Sequence, residues 1–410
     1  MRASAVAAIL LASVGVLGRS PALVFLAALL VAVRTLGSLW SRRGLGGLVY
    51  ERRIAHDRAV WGEPIALDVA VENRKILPVP WLQADDLVTD ELVVRERPVE
   101  RSEQPGIGIL RTRWSLGPWE RATRRFTILA EHRGLFRFSG YRLTVADLFG
   151  RDTATGASDL PATLLVRPRT VPVRALDIAR APYGSARRRP GLAEDPALFA
   201  GVRPYRPGDP ARRIHVRAWA RTGRPVSRRY EPPAARAATI VLDIQTIEGP
   251  DWRLTWSEGL AEGLAVAAAS LARRLLGEGI ATGLLAAGWT GRPTTTAHVG
   301  PGSGSGQLGR ITDLLGRLSP HPSGPFDRLL AGVPGMVAPG TALFVLTSRD
   351  PRPFLPALRR LAGTGYPVRL HLLGSRAVDR APAARAAGIE TLALTLAPDW
   401  RTADALVVAG

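Results

Sequence analysis

The chain has 410 residues, of which 46% are hydrophobic and 22% are charged, enough for two or three domains with packed cores. It contains no cysteine and only six scattered histidines, which excludes a disulfide scaffold, a thiolate zinc site and a cysteine nucleophile. The formal net charge is +20, and every basic residue except Lys75 is an arginine. Two explanations fit this charge: the codon bias of a GC-rich genome, or a function in binding anionic lipid or nucleic acid. The distribution of the charge along the chain has to distinguish them.

Two uncharged apolar runs open the chain, at 3–18 and 21–33, with Arg19 and Ser20 between them. This pattern predicts a transmembrane helical hairpin over 1–41, and a cleaved signal peptide is the competing interpretation. Each run is shorter than the roughly 20 residues that a perpendicular span needs. Because more arginines flank the ends of the hairpin than its turn, the positive-inside rule places both termini in the cytoplasm. We therefore expect a multi-pass protein of the cell inner (plasma) membrane, with soluble domains in the cytoplasm.

Apolar and polar residues alternate in the next part of the chain, 45–170. In 65–73 the apolar side chains of Ile, Leu and two Val residues share one face of an extended strand. Similar short runs follow at 113–116, 125–129, 135–138 and 141–145. This spacing predicts an all-β, sandwich-like domain. We expect its tryptophans to lie in the core, and a platform for stacking sugars or bases is the alternative. They are Trp61, Trp81, Trp114 and Trp119.

An arginine-rich connector follows at 171–236, with 15 arginines against five acidic residues and a net charge of +10. Half of the excess positive charge of the chain thus lies in one sixth of its length. The turn sequence Pro-Gly-Asp-Pro at 207–210 predicts a short helix over 210–221 with Asp209 as its N-cap. On such a helix three arginines form one basic face at i, i+4 and i+8. These are Arg213, Arg217 and Arg221.

This stretch resembles the signature of the prokaryotic family known as domain of unknown function 58, Arg-x-Tyr-x-x-Gly-Asp-x-x-Arg-x-Ile-x-Trp-x-x-Ser-Ala-Arg. The matching residues are Arg203, Tyr205, Gly208, Asp209, Arg212 or Arg213, Ile214, Ala220 and Arg221. The chain departs from the signature at Val216 and Trp219, where the family has Trp and Ser. Two further family features are Arg-Gly-Leu-Phe at 133–136 and Asp-Leu-Phe-Gly at 147–150. The resemblance implies a transmembrane hairpin, a β-rich domain and a C-terminal von Willebrand factor A-like domain.

Apolar strands alternate with helices over 237–410. Strands are predicted at 239–243, 280–287, 342–347 and 368–373, and helices at 257–276, 307–318 and 352–361. This alternation predicts a doubly wound, mostly parallel α/β sheet, which we expect to be the von Willebrand factor A-like domain. Ligands of such sheets bind at the carboxyl ends of the strands, which here means Asp243 and the segment after Thr347.

At these strand ends the resemblance implies a metal site, built from Asp-x-Ser-x-Ser, a Thr and a late Asp. The chain keeps Asp243, but Gln245 and Ile247 replace the two serines, and the late Asp is displaced to Asp350. Mg²⁺ needs several hard oxygen ligands, which an isoleucine does not supply. We therefore expect no cofactor. The candidate residues of a degenerate metal site are Asp243, Gln245 and Asp350, and the alternative is that Asp243 only caps the turn after its strand.

The sequence shows no paired nucleophile and base, so we expect no enzyme. His215 and His371 are predicted to be structural, because no nucleophile or ligand spacing surrounds them. Glycine and serine alternate over 300–306 without the Gly-Lys-Ser/Thr of a P-loop, which predicts a flexible loop.

The resemblance also implies a partner, because members of the family are commonly encoded beside MoxR-type AAA+ ATPases. We expect a membrane-tethered cytoplasmic binding or adaptor protein that works with such an ATPase in the assembly or maturation of other proteins, with Arg217 and the matching residues as its binding motif. One alternative is an anion-binding protein that acts on nucleic acid or anionic lipid through the arginine-rich centre. We expect no nucleic acid, because no groove-reading motif is present. A metal-dependent enzyme is the second alternative.

Overall fold

The computed structural model describes residues 2–146, 153–175, 199–205, 214–230, 237–249, 255–290, 296–395 and 400–409. It divides the chain into two compact units, Met1–Arg167 and Pro168–Gly410. Helices and several β-sheets make this a mixed α/β protein, as the sequence predicts at this level. The finer layout over 1–41, 45–170, 171–236 and 237–410 stays a prediction.

A helical hairpin begins the first unit, formed by α1 (Arg2–Leu17) and α2 (Pro21–Gly44). The chain reverses at Arg19, whose φ is 46°. Gly15 is buried where the two helices meet, and a Cβ on it would lie 2.9 Å from the backbone nitrogen of Val24. Only glycine permits so close an approach. Among the described residues, no helix is both long enough and apolar enough to cross a membrane.

Two sheets follow in the first unit. Their strands are β1 (Leu48–Ile54), β2 (Arg58–Val60), β3 (Pro64–Asn73), β4 (Val79–Thr89), β5 (Val93–Val94), β6 (Glu100–Arg101), β7 (Ile107–Leu116), β8 (Arg121–Leu129), β9 (Gly134–Ala146) and β10 (Thr153–Arg167). One sheet has the order β1-β3-β8-β5 and the other β2-β10-β9-β4-β7-β6. Alternate residues of both sheets enter one apolar core, for example Leu67, Leu82 and Phe138. The core therefore lies between the sheets.

The strands predicted for this part are present, with one change. The runs at 135–138 and 141–145 belong to a single strand, β9, because its pairing with β10 continues through Gly140. The expected core position is correct for Trp114, which is 4% exposed, and wrong for Trp81 and Trp119, which are 36% and 69% exposed. Trp119 lies in the turn between β7 and β8 with a φ of 55°, so the alternation of the strands does not govern its side chain.

The second unit contains ten strands and six helices within its described residues. The strands are β11 (Val173–Arg174), β12 (Phe199–Pro204), β13 (Val226–Tyr230), β14 (Ala237–Leu242), β15 (Ala281–Ala286), β16 (Ala297–Gly302), β17 (Ala342–Thr347), β18 (Val368–Leu373), β19 (Glu390–Thr395) and β20 (Leu406–Ala409). The helices are α3 (Val216–Thr222), α4 (Glu258–Gly277), α5 (Ser305–Arg317), α6 (Phe326–Met336), α7 (Leu355–Gly363) and α8 (Ala377–Ala386), with a 3-10 turn at Arg352–Phe354.

One large sheet organises the second unit, in the order β11-β20-β19-β18-β17-β14-β15-β16. The five strands from β19 to β15 are parallel, while β16 and β20 run antiparallel to their neighbours β15 and β19. Helices α6, α7 and α8 share an apolar core with one face of this sheet. Helix α4 contacts the same strands and contributes nothing to that core, so it covers the other face. The strand order reverses beside β14, and in open α/β sheets the ligand crevice lies at such a reversal, which here means the carboxyl ends of β14 and β17.

The strands predicted at 342–347 and 368–373 are confirmed as β17 and β18. The prediction of a flexible loop over 300–306 is wrong, because β16 extends to Gly302 and α5 begins at Ser305. The buried Gln307 side chain fixes this segment: its Nε2 donates to the carbonyls of Thr282 at 2.6 Å and Gly300 at 2.9 Å.

Candidate functional site

The arginine-rich motif is described in part. Gly208, Asp209, Arg212 and Arg213 lie outside the described residues. Arg203 lies on β12, and the backbone nitrogen of Tyr205 donates to the carbonyl of Pro225 at 3.0 Å. Ile214 forms an isolated β-bridge with Ser227 of β13. Arg203 and Ile214 of the motif therefore both pair with Ser227 of β13.

The helix of the motif, α3, begins later than predicted. His215 is its N-cap, and the Nδ1 atom of this side chain accepts a hydrogen bond from the backbone nitrogen of Ala218 at 3.1 Å. A continuous helix over 210–221 is therefore wrong, because Ile214 pairs as a strand residue. The capping contact gives His215 the structural role that the sequence predicts.

No side chain of α3 is buried. Arg217 and Arg221 are both exposed and lie four residues apart, so two of the three predicted basic-face positions are present in the described helix. Val216 is 69% exposed and Trp219 is 42% exposed. Arginine and tryptophan are enriched among the side chains that contribute most to protein–protein binding. The combination of exposed aromatic, apolar and guanidinium groups is therefore typical of an interaction surface.

The second candidate site lies at the crevice beside β14. Asp243 follows that strand and is 3% exposed, and Thr347 ends β17. The Thr347 hydroxyl donates to Oδ2 of Asp243 at 2.8 Å, and the backbone nitrogen of Gln245 donates to Oδ1 at 3.2 Å. Burial raises the pKa of Asp243 above its usual value, and the positive charge of Arg349 opposes this shift.

Arg349 is the residue of this site that the sequence analysis missed. Its Nε donates to Oδ2 of Asp243 at 2.8 Å. The same oxygen also accepts the hydrogen bond from the Thr347 hydroxyl. The Arg349 side chain is 13% exposed, and its guanidinium carbon lies 5.7 Å from the centre of the Phe354 ring. The sequence feature that could have identified Arg349 is its place two positions after the end of a buried strand, next to the expected ligand Asp350.

The other predicted ligands engage their own loops. The Gln245 side chain donates through Nε2 to the carbonyl of Ile247 at 2.9 Å. Oδ1 of Asp350 accepts from the backbone nitrogen of Arg352 at 3.0 Å. In the part of the chain that the structure describes, no three acidic, histidine or cysteine side chains are grouped to hold a metal ion.

A second arginine joins the loops after β14 and β17. Oε1 of Glu248 accepts from the backbone nitrogen of Asp350 at 2.9 Å and from Nη2 of Arg380 at 3.1 Å. Nη1 of Arg380 donates to the carbonyl of Ser348 at 2.8 Å. The two loops are thus held to each other by hydrogen bonds of the chain itself.

The chain matches no protein-family model and no curated protein. Solved structures similar to part of it include the CARDB domain of the PF1109 protein from Pyrococcus furiosus, at 18% identity and a TM-score of 0.19; the match covers 29% of this chain and 91% of that one. A β-glucosidase from Listeria innocua matches at 12% identity and a TM-score of 0.17, covering 29% of this chain and 16% of that one. AvmM, which catalyses macrocyclization in alchivemycin A biosynthesis, matches at 11% identity and a TM-score of 0.23, covering 30% of this chain and 91% of that one. At TM-scores this low, none of these similarities supports an argument about function.

Proposed function

We propose that this protein is a membrane-associated adaptor of the domain of unknown function 58 type, which binds a partner protein through α3 and has no catalysis of its own. The observation that carries the proposal is that no side chain of α3 is buried and that Arg217, Trp219 and Arg221 are exposed. A helix of a folded unit that buries none of its own apolar or aromatic groups leaves Trp219 available to a partner. Arg217 and Arg221 favour a partner with an acidic surface.

The partner we propose is a MoxR-type AAA+ ATPase. The support is the resemblance of the motif from Arg203 to Arg221 to the family signature. Positive charge also accumulates in the connector at 171–236. Opposite charge on the ATPase would accelerate association and make it sensitive to salt.

The finer fold we propose is a sandwich-like β domain followed by a von Willebrand factor A-like domain. The common core of the two sheets in the first unit supports the former. The run β16-β15-β14-β17-β18-β19 supports the latter, because it corresponds to the doubly wound order 3-2-1-4-5-6.

Membrane association is proposed through the α1–α2 hairpin. Its large apolar side chains are exposed, including Leu17 at 85% and Phe25 at 70%. Contiguous apolar surface of this kind marks a site of membrane or protein contact. Anionic lipid would also attract the positive charge of the chain, as the lipid-binding alternative expects.

The test compares Arg221→Glu with Arg360→Glu. Arg360 is an exposed arginine of α7 and provides a matched charge reversal away from the motif. We expect Arg221→Glu to weaken binding of the purified full chain to the cognate ATPase at least tenfold, about 1.4 kcal/mol, while its melting temperature changes little. Arg360→Glu should bind as the native chain does.

The same titration is repeated with anionic lipid vesicles and with single-stranded DNA. If Arg221→Glu binds the ATPase as tightly as the native chain, the adaptor proposal is wrong. Loss of vesicle or DNA binding alone, without any ATPase binding by the native chain, supports the anion-binding alternative instead.

A further inference from the structure

We propose that the Arg349 guanidinium is the permanent cation of the crevice site, in the position where a von Willebrand factor A-like fold would hold a divalent metal ion. The inference rests on the geometry around Asp243 and not on the adaptor function, so either can fail without the other.

The residues present do not fit a metal ion. The buried Oδ2 of Asp243 already receives two hydrogen bonds, from the Thr347 hydroxyl and from Nε of Arg349, both at 2.8 Å. A divalent ion on this oxygen would lie beside a guanidinium at a buried carboxylate, where like charges repel strongly. Ile247 offers no ligand atom in place of a serine hydroxyl.

The surroundings instead fit a cation that belongs to the chain. The positive charge of Arg349 is paired with Asp243 and lies near the Phe354 ring, within the range of a cation–π contact. The backbone nitrogen of Arg349 also donates to the Thr347 hydroxyl at 3.1 Å. One residue therefore supplies the charge and orders the hydroxyl that faces the carboxylate.

The loops at the crevice need no ion to hold them together. Glu248 and Arg380 link the segment after β14 to the segment after β17. The site consequently contains its own cation, and the chain should respond neither to divalent ions nor to a chelator.

The first experiment titrates the full chain with Mg²⁺ and Mn²⁺ and then with EDTA, and records the melting temperature. We expect no change, whereas a site of micromolar affinity would raise the melting temperature by several degrees at millimolar ion. A rise that disappears in Asp243→Asn overturns the proposal.

The second experiment removes the charges singly and together. Asp243→Asn and Arg349→Met should each lower the melting temperature on the order of 10 °C, because each leaves a buried charge without its partner. The double variant should recover at least half of that loss, since neither charge remains. Arg352→Met is the control: this arginine of the same loop is 72% exposed and should cost little.

Two results of the second experiment contradict the proposal. One is an unchanged melting temperature in Arg349→Met, and the other is a double variant that loses the sum of the two single losses. If a single variant does not fold, the ion titration of the native chain decides alone, because it needs no substitution.

Discussion

Asp86 shows how the first unit accommodates a buried charge. It is 2% exposed, and its two carboxylate oxygens accept hydrogen bonds from the Tyr50 hydroxyl and the Arg52 guanidinium. Arg52 also donates to the carbonyl of Leu160 and lies 4.7 Å from the centre of the Phe138 ring. Burial raises the pKa of Asp86, against the effect of Arg52, and raises the pKa of Tyr50 well above its usual value. Such a cluster is stable only while every member is present.

A buried histidine predicts how stability depends on pH. His371 of β18 is fully buried and stacks on Phe344 with 5.4 Å between ring centres. Burial, with a smaller effect of the Arg369 charge, lowers the pKa of His371 to about 3. The ring is therefore neutral in the native state, while in the unfolded chain it binds a proton below about pH 6.5.

The unfolded state thus binds more protons than the native state between these two pKa values. We expect the free energy of unfolding to fall as the pH is lowered through this range, by up to about 1.4 kcal/mol per pH unit from His371. Urea unfolding of the native chain and of His371→Leu at about pH 7.5 and about pH 4.5 measures this, since the variant should lose less stability on acidification.

Exposed His56 supplies the control, and His56→Leu should follow the native chain at both pH values. An equal loss of stability in His371→Leu and the native chain would contradict the assignment of this pH dependence to His371.

Among the elements, the α1–α2 hairpin has the most specific packing constraint. A Cβ on Gly15 would lie 3.0 Å from Cβ of Leu23, about 0.5 Å below the shortest usual separation in a disulfide, so a cysteine at this position requires the two helices to move apart by about that distance. Because the chain contains no cysteine, no native thiol competes with an engineered pair of cysteines for disulfide formation. We expect Gly15→Cys/Leu23→Cys to form an intramolecular disulfide on mild oxidation, visible as a change in gel mobility that a reductant reverses.

The control pair is Gly15→Cys/Leu29→Cys. Leu29 lies almost two helical turns beyond Leu23, about 9 Å along α2. It should therefore not be oxidised within one chain. Equal cross-linking of the two pairs would mean that Gly15 does not pack against Leu23.

At the scale of the whole molecule, each compact unit has an apolar core of its own. Leu82 is fully buried in the core of the first unit, and Leu264 of α4 is 1% exposed in the second. We expect Leu82→Ala and Leu264→Ala each to cost about 2–5 kcal/mol. In calorimetry of the full chain, each substitution should lower the unfolding transition of its own unit only.

Ile76→Ala is the matched control, because this side chain is 78% exposed and its truncation creates no cavity. A single transition that both core substitutions lower equally would show that the chain unfolds as one cooperative body.

Much of the fold could be predicted from local patterns. Period-two alternation located β3 and β8 to within a few residues, and the buried apolar runs located β17 and β18 at their observed bounds. Patterns failed where a turn set the geometry, as at Trp119, or where a distant side chain fixed a glycine-rich segment, as Gln307 does beside β16.

Three features could be predicted from local spacing along the chain: the alternation of strands and helices, the concentration of arginine in the centre, and the position of Asp243 at the end of a buried strand. These follow from neighbours along the chain, whose spacing sets which face of an element is apolar. The pairing of Asp243 with Arg349, 106 residues away, and the complete burial of His371 are seen only in the folded chain. Such partners meet because strands distant in sequence are adjacent in the sheet, and the spacing of residues along the chain carries no record of that adjacency.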